Sequence, residues 1–225
     1  QLELRVIAIV RNAEKARQMF GEETKSFGIL TYDFAQHVPF DAPEHIDYLI
    51  HFAAPTASKA FVEQPIETMN TVFFGTNSLL DYARKTHLSS FVLASTLEVY
   101  GTIYDDSIAL TEEKQGYLDP MATRSSYPLA KRAAEALCHN YASEYGVNAK
   151  VARLAQTFGA GVAIEENRVF AQFAKAVIKQ QDITLNTMGE LSRSYCYTTD
   201  AVSAMLYIML RGEAGEAYNV ANEKS

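Results

Sequence analysis

Tyr127 and Lys131 are the pair of residues whose types and spacing most readily suggest chemistry, because they form a Y-x-x-x-K motif near the start of a predicted helix. Residues four positions apart lie on one face of a helix, so their side chains can interact. A protonated lysine favours the phenolate, lowers the pKa of the tyrosine and makes it a usable general base. Chance alone produces roughly 0.6 such pairs in a chain of this composition, so the motif needs its context.

That context begins with the hydroxyl groups that follow the strand predicted at 90–94. The sequence there reads ASTLEVYG and contains Ser95, Thr96 and Glu98. In open parallel α/β sheets, ligands bind outside the carboxyl ends of the strands. We therefore expect a substrate beside Thr96.

Short apolar strands alternate with longer amphipathic helices along most of the chain. This alternation predicts an α/β fold with a doubly wound, Rossmann-like parallel sheet that is covered on both faces. We predict strands at 4–10, 28–31, 47–52, 90–94, 150–155 and 218–221, helices at 13–20, 65–86, 126–145, 169–179 and 200–211, with Asp200 as an N-cap, and a long loop at 102–123.

A glycine-rich phosphate-binding turn is missing from this pattern. Such a turn normally follows the first strand of a dinucleotide-binding sheet, yet none of the 11 glycines forms a G-x-G-x-x-G pattern. The chain starts at Gln1, which is not a methionine, and already runs into a strand. We expect a fragment whose first strand and glycine turn lie upstream. We assign 1–155 to an incomplete Rossmann domain, and 156–225 to substrate-domain segments with returning Rossmann elements.

Composition narrows the class of protein. The net charge of −7 and the lack of a basic patch argue against nucleic-acid binding. The longest apolar run, 204–210, is far shorter than the ~20 residues that cross a bilayer, so we expect no membrane association. Two cysteines, Cys138 and Cys196, are too few for a disulfide framework or a zinc site. We expect no metal and a reducing, cytoplasmic setting.

Several sequence blocks, in this order and spacing, resemble the extended short-chain dehydrogenase/reductases of the NAD-dependent epimerase/dehydratase type. The blocks are HFAA at 51–54, NTVFFGTN at 70–77, ASTLEVYG at 94–101, the Y-x-x-x-K pair, VARLAQTFGAG at 151–161 and SRSYCYTTD at 192–200. The resemblance implies a Rossmann domain with a smaller substrate domain. It also implies chemistry on a nucleotide sugar through transient oxidation by bound NAD or NADP.

The resemblance assigns catalytic and substrate-binding roles to particular residues. Tyr127 matches the family's base and Lys131 its partner, while Thr96 matches the residue that holds the sugar hydroxyl being oxidised. The T-x-E-V-Y-G block is similar to that of the UDP-glucuronate decarboxylases, which makes Glu98 an auxiliary acid or base, although 4-epimerases also carry a glutamate there. Two residues match substrate-binding positions: Gln156, where the family usually has asparagine, and Arg193.

The resemblance also assigns a cofactor-binding set, to which Tyr127 and Lys131 belong. Arg11 stands where NAD-specific members carry an acid, and it permits NADP without requiring it. The enzymes that the chain resembles mostly use NAD, and Asn12 can still bond ribose hydroxyls, so we expect NAD in preference to NADP. The remaining members are Asp33 and Phe34 beside the adenine, and Ala53 and Ala54 against the cofactor.

Other functions stay open from the sequence. One alternative is an NADP-dependent reductase of a non-nucleotide carbonyl in the same superfamily, and the other is a Rossmann sensor that binds cofactor without turnover. Decarboxylase, epimerase and dehydratase branches also remain open. Family members commonly dimerise, so we expect a homodimer through the helices at 70–86 and 126–145.

Overall fold

The computed structural model describes residues 3–36, 38–55, 58–104, 110–162, 164–183, 185 and 194–223. Helices α1 to α6 cover Ala13–Phe20, Ser58–Glu63, Pro65–Thr86, Ser126–Tyr145, Val169–Ile178 and Thr198–Arg211. Strands β1 to β8 cover Val6–Val10, Phe27–Thr31, Tyr48–His51, Ser90–Thr96, Ala149–Leu154, Gln156–Phe158, Tyr195–Tyr197 and Ala217–Val220. Short 3₁₀ turns occur at Phe34–Gln36, Leu97–Tyr100 and Thr123–Ser125.

The strands pair in parallel, as the sequence predicts. The central sheet has the order β3-β4-β5-β8, while β1 pairs with β2 and β6 with β7. The Rossmann-like α/β class is confirmed. The observed sheet is divided, because the described hydrogen bonds join β1 to β2 and β3 to β4 without joining β1 to β3.

Alternate residues of the central strands face two separate hydrophobic cores. On β4, Phe91 and Leu93 pack with residues of α3 and α4, whereas Val92 and Ala94 pack with residues of α6. Successive strand side chains point to opposite faces, so helices cover both sides of the sheet. Full burial of a side chain such as Phe91 contributes about 1.5–3 kcal/mol. This doubly covered sheet fixes the positions of the strand ends that carry the site.

Three short elements were not predicted: α2, β6 and β7. Each is too short for a periodic pattern, and β6 and β7 are stabilised by pairing with each other across a long stretch of sequence. The prediction that Asp200 caps α6 is wrong, since the N-cap is Tyr197 and Asp200 lies in the first turn. An acid there still favours the helix through the macrodipole. Nothing described tests the boundary at residue 155, which stays a prediction.

Within the described ranges, no helix combines the length and apolar character that a membrane crossing requires. The same ranges contain no cluster of three His, Cys, Asp or Glu side chains that could hold a metal ion.

Candidate active site

Tyr127, near the start of α4, lies flat against Phe61 of α2. The two ring centroids are 4.2 Å apart and the ring planes differ by 1°. Next to the tyrosine, the Ser126 hydroxyl donates a buried hydrogen bond of 2.8 Å to the Phe61 carbonyl oxygen. The start of α4 is therefore attached to α2, and one face of the phenol is covered.

Lys131 lies one helical turn further along α4 and is almost fully buried. Its Nζ donates a hydrogen bond of 2.7 Å to the carbonyl oxygen of Ala94 on β4. Burial lowers the pKa of Lys131 to about 8, because a charged amine is poorly solvated there. Nζ lies 6.0 Å from the centroid of the Tyr127 ring.

The expectation that Lys131 lowers the pKa of Tyr127 is wrong for this structure. Burial, followed by the negative charge of Glu98, raises the pKa of Tyr127 to about 12. A hydrogen bond with Thr96 and the positive charge of Arg124 act in the opposite direction. The phenol is therefore neutral at physiological pH in the chain as it stands.

Thr96 and Glu98 sit where β4 ends and turns into a 3₁₀ segment. The Thr96 Oγ1 accepts a hydrogen bond of 3.3 Å from the Glu98 backbone N–H. The Glu98 carboxylate pairs with Arg124 at 3.0 Å. Gly101 ends the turn with φ of 67°, and a Cβ there would collide with the Tyr117 carbonyl oxygen, which explains the glycine in the T-x-E-V-Y-G block. The structure thus gathers all four predicted catalytic residues around the end of β4.

A buried ion pair between β5 and α4 lies next to the end of β4. Its acid, Glu135, was not predicted from the sequence. Arg153 of β5 pairs with Glu135 of α4 at 2.8 Å, with both side chains about nine-tenths buried. Ser95 donates a hydrogen bond to the same carboxylate, and the Arg153 Nη1 donates to the Tyr100 hydroxyl at 3.0 Å. Glu135 lies four residues after Lys131, so the helical repeat was the available signal.

A second region contains a cavity of about 570 Å³ where β1, β2 and β3 end. We call it the cofactor cavity, after the predicted cofactor residues that line it. That volume is within the range of ligand sites. Five of the predicted cofactor residues line it: Arg11, Asn12, Phe34, Ala53 and Ala54.

Three predicted polar cofactor residues in or next to this cavity form contacts within the chain. Arg11 pairs with Glu67 of α3 at 3.6 Å, and Glu67 also lines the cavity. The Asn12 side chain caps α1 by accepting a hydrogen bond of 2.9 Å from the Lys15 backbone. Asp33 lies next to the cavity-lining Phe34, and its carboxylate accepts a 3.0 Å bond from a backbone N–H in the following turn. Glu67 was not predicted from the sequence.

His51, the last residue of β3, stands between the two regions. Its ring lies 5.4 Å from that of Phe34 and 6.2 Å from that of Phe91. Burial, followed by the charge of Lys131, lowers the pKa of His51 to about 3, so the imidazole is neutral. Its Nε2 is buried without a hydrogen-bond partner among the described residues.

Helix α2 joins the cofactor cavity to the catalytic residues. Ala60 of α2 lines the cavity, while the next residue, Phe61, stacks on Tyr127. The short helix therefore contacts both regions, although the sequence did not reveal it.

Among the predicted substrate-binding residues, Thr96 belongs to this cluster, and no described contact joins Gln156 to it. Gln156 is half-buried in β6, where it pairs with Tyr195 of β7. Arg193 lies outside the described residues, so its role stays a prediction.

Taken together, the central parallel sheet, the helices on both faces and the polar residues at the strand ends define a Rossmann-like α/β domain. Residues 3–221 match the model of the NAD dependent epimerase/dehydratase family. The chain belongs to that family, and the resemblance seen in the sequence is confirmed.

Curated relatives include decarboxylases of UDP-glucuronic acid. UDP-glucuronic acid decarboxylase 1 of Xenopus tropicalis is 29% identical over 186 residues, which are 82% of this chain and 42% of that protein. UDP-glucuronic acid decarboxylase 6 of Arabidopsis thaliana is 30% identical over 179 residues, which are 79% of this chain and 50% of that protein. The chain therefore spans half the length of these relatives or less.

Solved structures show the same fold at lower identity. The UDP-N-acetylglucosamine 4-epimerase of Methanobrevibacter ruminantium M1 gives a TM-score of 0.81 at 19% identity, covering 96% of this chain and 68% of the epimerase chain. The UDP-glucuronic acid 4-epimerase of Bacillus cereus gives a TM-score of 0.77 at 19% identity, covering 98% of this chain and 70% of the epimerase chain.

Proposed function

We propose that the full-length protein is an NAD-dependent nucleotide-sugar enzyme that transiently oxidises the sugar 4-hydroxyl, with decarboxylation of UDP-glucuronate as the favoured reaction. One observation carries this proposal: Thr96, Glu98, Tyr127 and Lys131 meet around the carboxyl end of β4. The sequence similarity to UDP-glucuronic acid decarboxylases supports the choice of substrate.

The cofactor cavity fits the adenosine end of a dinucleotide. Its wall at the end of β3 consists of Ala53 and Ala54, where larger side chains would fill the space. On α3, Gly75 lets Phe34 pack closely, because a Cβ there would lie 3.0 Å from that side chain. Asp33 supplies an acceptor next to Phe34 for the adenine amino group. When bound, the nicotinamide group supplies a reversible hydride acceptor.

The pairing of Arg11 favours NAD over NADP. A 2′-phosphate at Arg11 would meet the carboxylate of Glu67, which lines the same cavity. Ribose hydroxyls carry no charge and meet no such repulsion. The same ion pair argues against the alternative of an NADP-dependent reductase.

In the proposed reaction, Tyr127 takes the proton from the sugar 4-hydroxyl and Thr96 hydrogen-bonds the same oxygen. Lys131 supplies a nearby positive charge. Loss of this proton, together with loss of the hydride on carbon 4 that the bound nicotinamide would accept, would give a 4-ketone. This ketone would accept the electron pair of the bond between carbon 5 and the carboxyl carbon, so that the bond breaks and carbon dioxide leaves. Glu98, the auxiliary acid or base, would then assist the transfer of a proton from water to carbon 5. Return of the hydride to carbon 4 and of the Tyr127 proton to its oxygen would restore the alcohol.

The direct test is to incubate the full-length protein with UDP-glucuronate, UDP-glucose and dTDP-glucose and to identify products by mass. We expect loss of carbon dioxide from UDP-glucuronate alone. An isomer of unchanged mass would favour a 4-epimerase, and loss of water a dehydratase. No conversion of any of the three would contradict the proposed function.

Glu98→Gln tests the step after oxidation. We expect this variant to reduce its bound cofactor in a single turnover but to release little product, because the auxiliary acid is missing. A steady-state rate equal to that of the wild type would show that Glu98 is structural.

We also propose a homodimer through α3 and α4. The structure limits the surface involved, because Ala134 and Cys138 of α4 are fully buried inside the chain itself. The exposed apolar side of α3 includes Ile66 and Met69. Light scattering on the full-length protein, with Met69→Glu as the disruptive variant, tests this state. A monomeric wild-type protein would contradict it.

A further inference from the structure

Arg124 contacts two residues that are themselves neighbours of the candidate catalytic phenol of Tyr127. Its guanidinium pairs with the Glu98 carboxylate, with Nη2 at 3.0 Å from Oε2 and 3.2 Å from Oε1. Its Cζ also lies 4.8 Å from the centroid of the Phe61 ring. Phe61 in turn stacks on Tyr127 at 4.2 Å. The guanidinium, the two rings and the carboxylate thus form one connected group.

We propose that Arg124 is a positioning residue for the proposed reaction: it holds and neutralises the Glu98 carboxylate beside Tyr127, so that the phenol can lose its proton. This inference rests on the proposed function. Arg124 had no predicted role from the sequence, because a lone arginine three residues before the tyrosine forms no recognisable pattern.

The charged and polar groups that face the phenol come from three elements. Thr96 and Glu98 approach from the end of β4, Arg124 from the 3₁₀ turn before α4, and Lys131 from α4 itself. Among the described residues of α2, the ring of Phe61 contacts the phenol. Glu98 raises the pKa of Tyr127, and Arg124 lowers it. The charges of Glu98 and Arg124 therefore have opposite effects on the pKa of Tyr127, the proposed general base.

Glu98 has to be present for the step after oxidation, yet its charge hinders the oxidation itself. A carboxylate near a phenol makes the phenolate less favourable, because two negative charges repel each other. An ion pair with a planar guanidinium opposes that repulsion while holding the carboxylate in place. The pair is half-exposed, with 43% and 36% of the two side chains accessible, so a substrate can still reach it.

The first experiment measures single-turnover reduction of bound cofactor in full-length protein with UDP-glucuronate as substrate. We expect Arg124→Gln to slow this step about tenfold at neutral pH and to shift its pH profile upward by about one unit. Arg124→Lys should recover most of the rate. In a Glu98→Gln background, Arg124→Gln should have a smaller effect, because only the direct influence of the Arg124 charge on the phenol is then lost.

The matched control is Arg84→Gln. Arg84 also pairs with an acid, Asp81, at 2.9 Å and lies 4.7 Å from the ring centroid of Tyr145. This variant loses the same two kinds of contact and should leave the pH profile unchanged. Equal losses from Arg124→Gln in the wild-type and Glu98→Gln backgrounds would overturn the proposal, because a purely structural role is additive.

A second readout needs no turnover and separates this proposal from the proposed function. Full-length protein labelled with 3-fluorotyrosine, whose phenol is more acidic, is titrated by fluorine NMR, and the Tyr127 signal is assigned with Tyr127→Phe. We expect a higher titration midpoint in Arg124→Gln and its return in the double variant with Glu98→Gln. An unchanged midpoint would overturn the role of Arg124. A shifted midpoint without cofactor reduction in the wild type would contradict only the proposed function.

Discussion

The catalytic residues and the cofactor cavity are held by different kinds of contacts. Around the end of β4, the supporting groups are buried, as in the Arg153–Glu135 pair and the bond from Lys131 to the Ala94 carbonyl. At the cavity rim, the Arg11–Glu67 pair is exposed, with 66% and 45% of the side chains accessible. The first region has fixed geometry, whereas the second has polar groups that solvent already reaches.

Because of this difference in burial, the region around β4 controls the protonation of its side chains, whereas the cavity rim affects ligand preference. Burial shifts the protonation of Tyr127, Lys131 and His51 away from their ordinary values, because charged forms are poorly solvated there. A solvated rim can discriminate between ligands by charge at little cost in stability. We therefore expect large effects on folding and turnover from the buried region and small effects on ligand preference from the rim.

The largest effect is expected from Glu135→Ala, which leaves Arg153 as an unpaired buried charge. Breaking such a pair typically costs about 3–5 kcal/mol of the free energy of unfolding. Urea unfolding of the full-length protein measures this cost. Glu44→Ala is the control, since it breaks an exposed pair with Arg5 and should change the midpoint little. Equal midpoints for the two variants would contradict the contrast between the regions.

Next in size is the loss of turnover in Tyr127→Phe. We expect the fold to persist, because the ring and its stack on Phe61 remain, while turnover falls by at least ~10², the usual scale of general acid–base catalysis. Steady-state kinetics and a thermal melt on the same sample check both statements. Wild-type turnover in this variant would remove Tyr127 from the mechanism.

A pH dependence of stability follows from His51. Its folded pKa of about 3 lies below the ordinary value of 6.5, so below pH 6.5 only the unfolded state takes up a proton. The contribution of His51 to the free energy of unfolding is therefore fully present above pH 6.5. It falls by about 1.4 kcal/mol per pH unit as the pH drops toward 3. Lys131 adds no slope in this window, because its pKa is about 8 and it is charged in both states.

The variant His51→Leu should flatten that slope in urea unfolding measured at several pH values. His45→Gln removes an exposed imidazole and serves as the control, which should keep the wild-type slope. A slope that survives in His51→Leu would show that other groups dominate acid unfolding.

The smallest effect concerns the rim. Glu67→Gln frees Arg11 to meet a 2′-phosphate, and an exposed pair of this kind is worth about 0–1 kcal/mol. Calorimetry on the full-length protein should show NADP binding up to about fivefold tighter, with NAD affinity unchanged. An unaltered preference between the two cofactors would show that Glu67 does not discriminate between them.

The sequence by itself determined the class of fold and the main elements. The long helices Pro65–Thr86 and Ser126–Tyr145 match their predicted bounds, because their apolar spacing extends over many turns. The hydroxyl, acid, phenol and lysine of the candidate site were found because each follows a strand or opens a helix in a recognisable block.

The tertiary structure alone decided how these residues act on one another. Which charges surround the Tyr127 phenol depends on contacts between residues far apart in the sequence, such as Phe61 and Arg124, and this reversed the expected direction of its pKa shift. The pairing of Arg11 with Glu67 and of Arg153 with Glu135 arises in the same way. Local sequence patterns report which elements form, whereas burial and charge pairing depend on the neighbours that only the folded chain brings together.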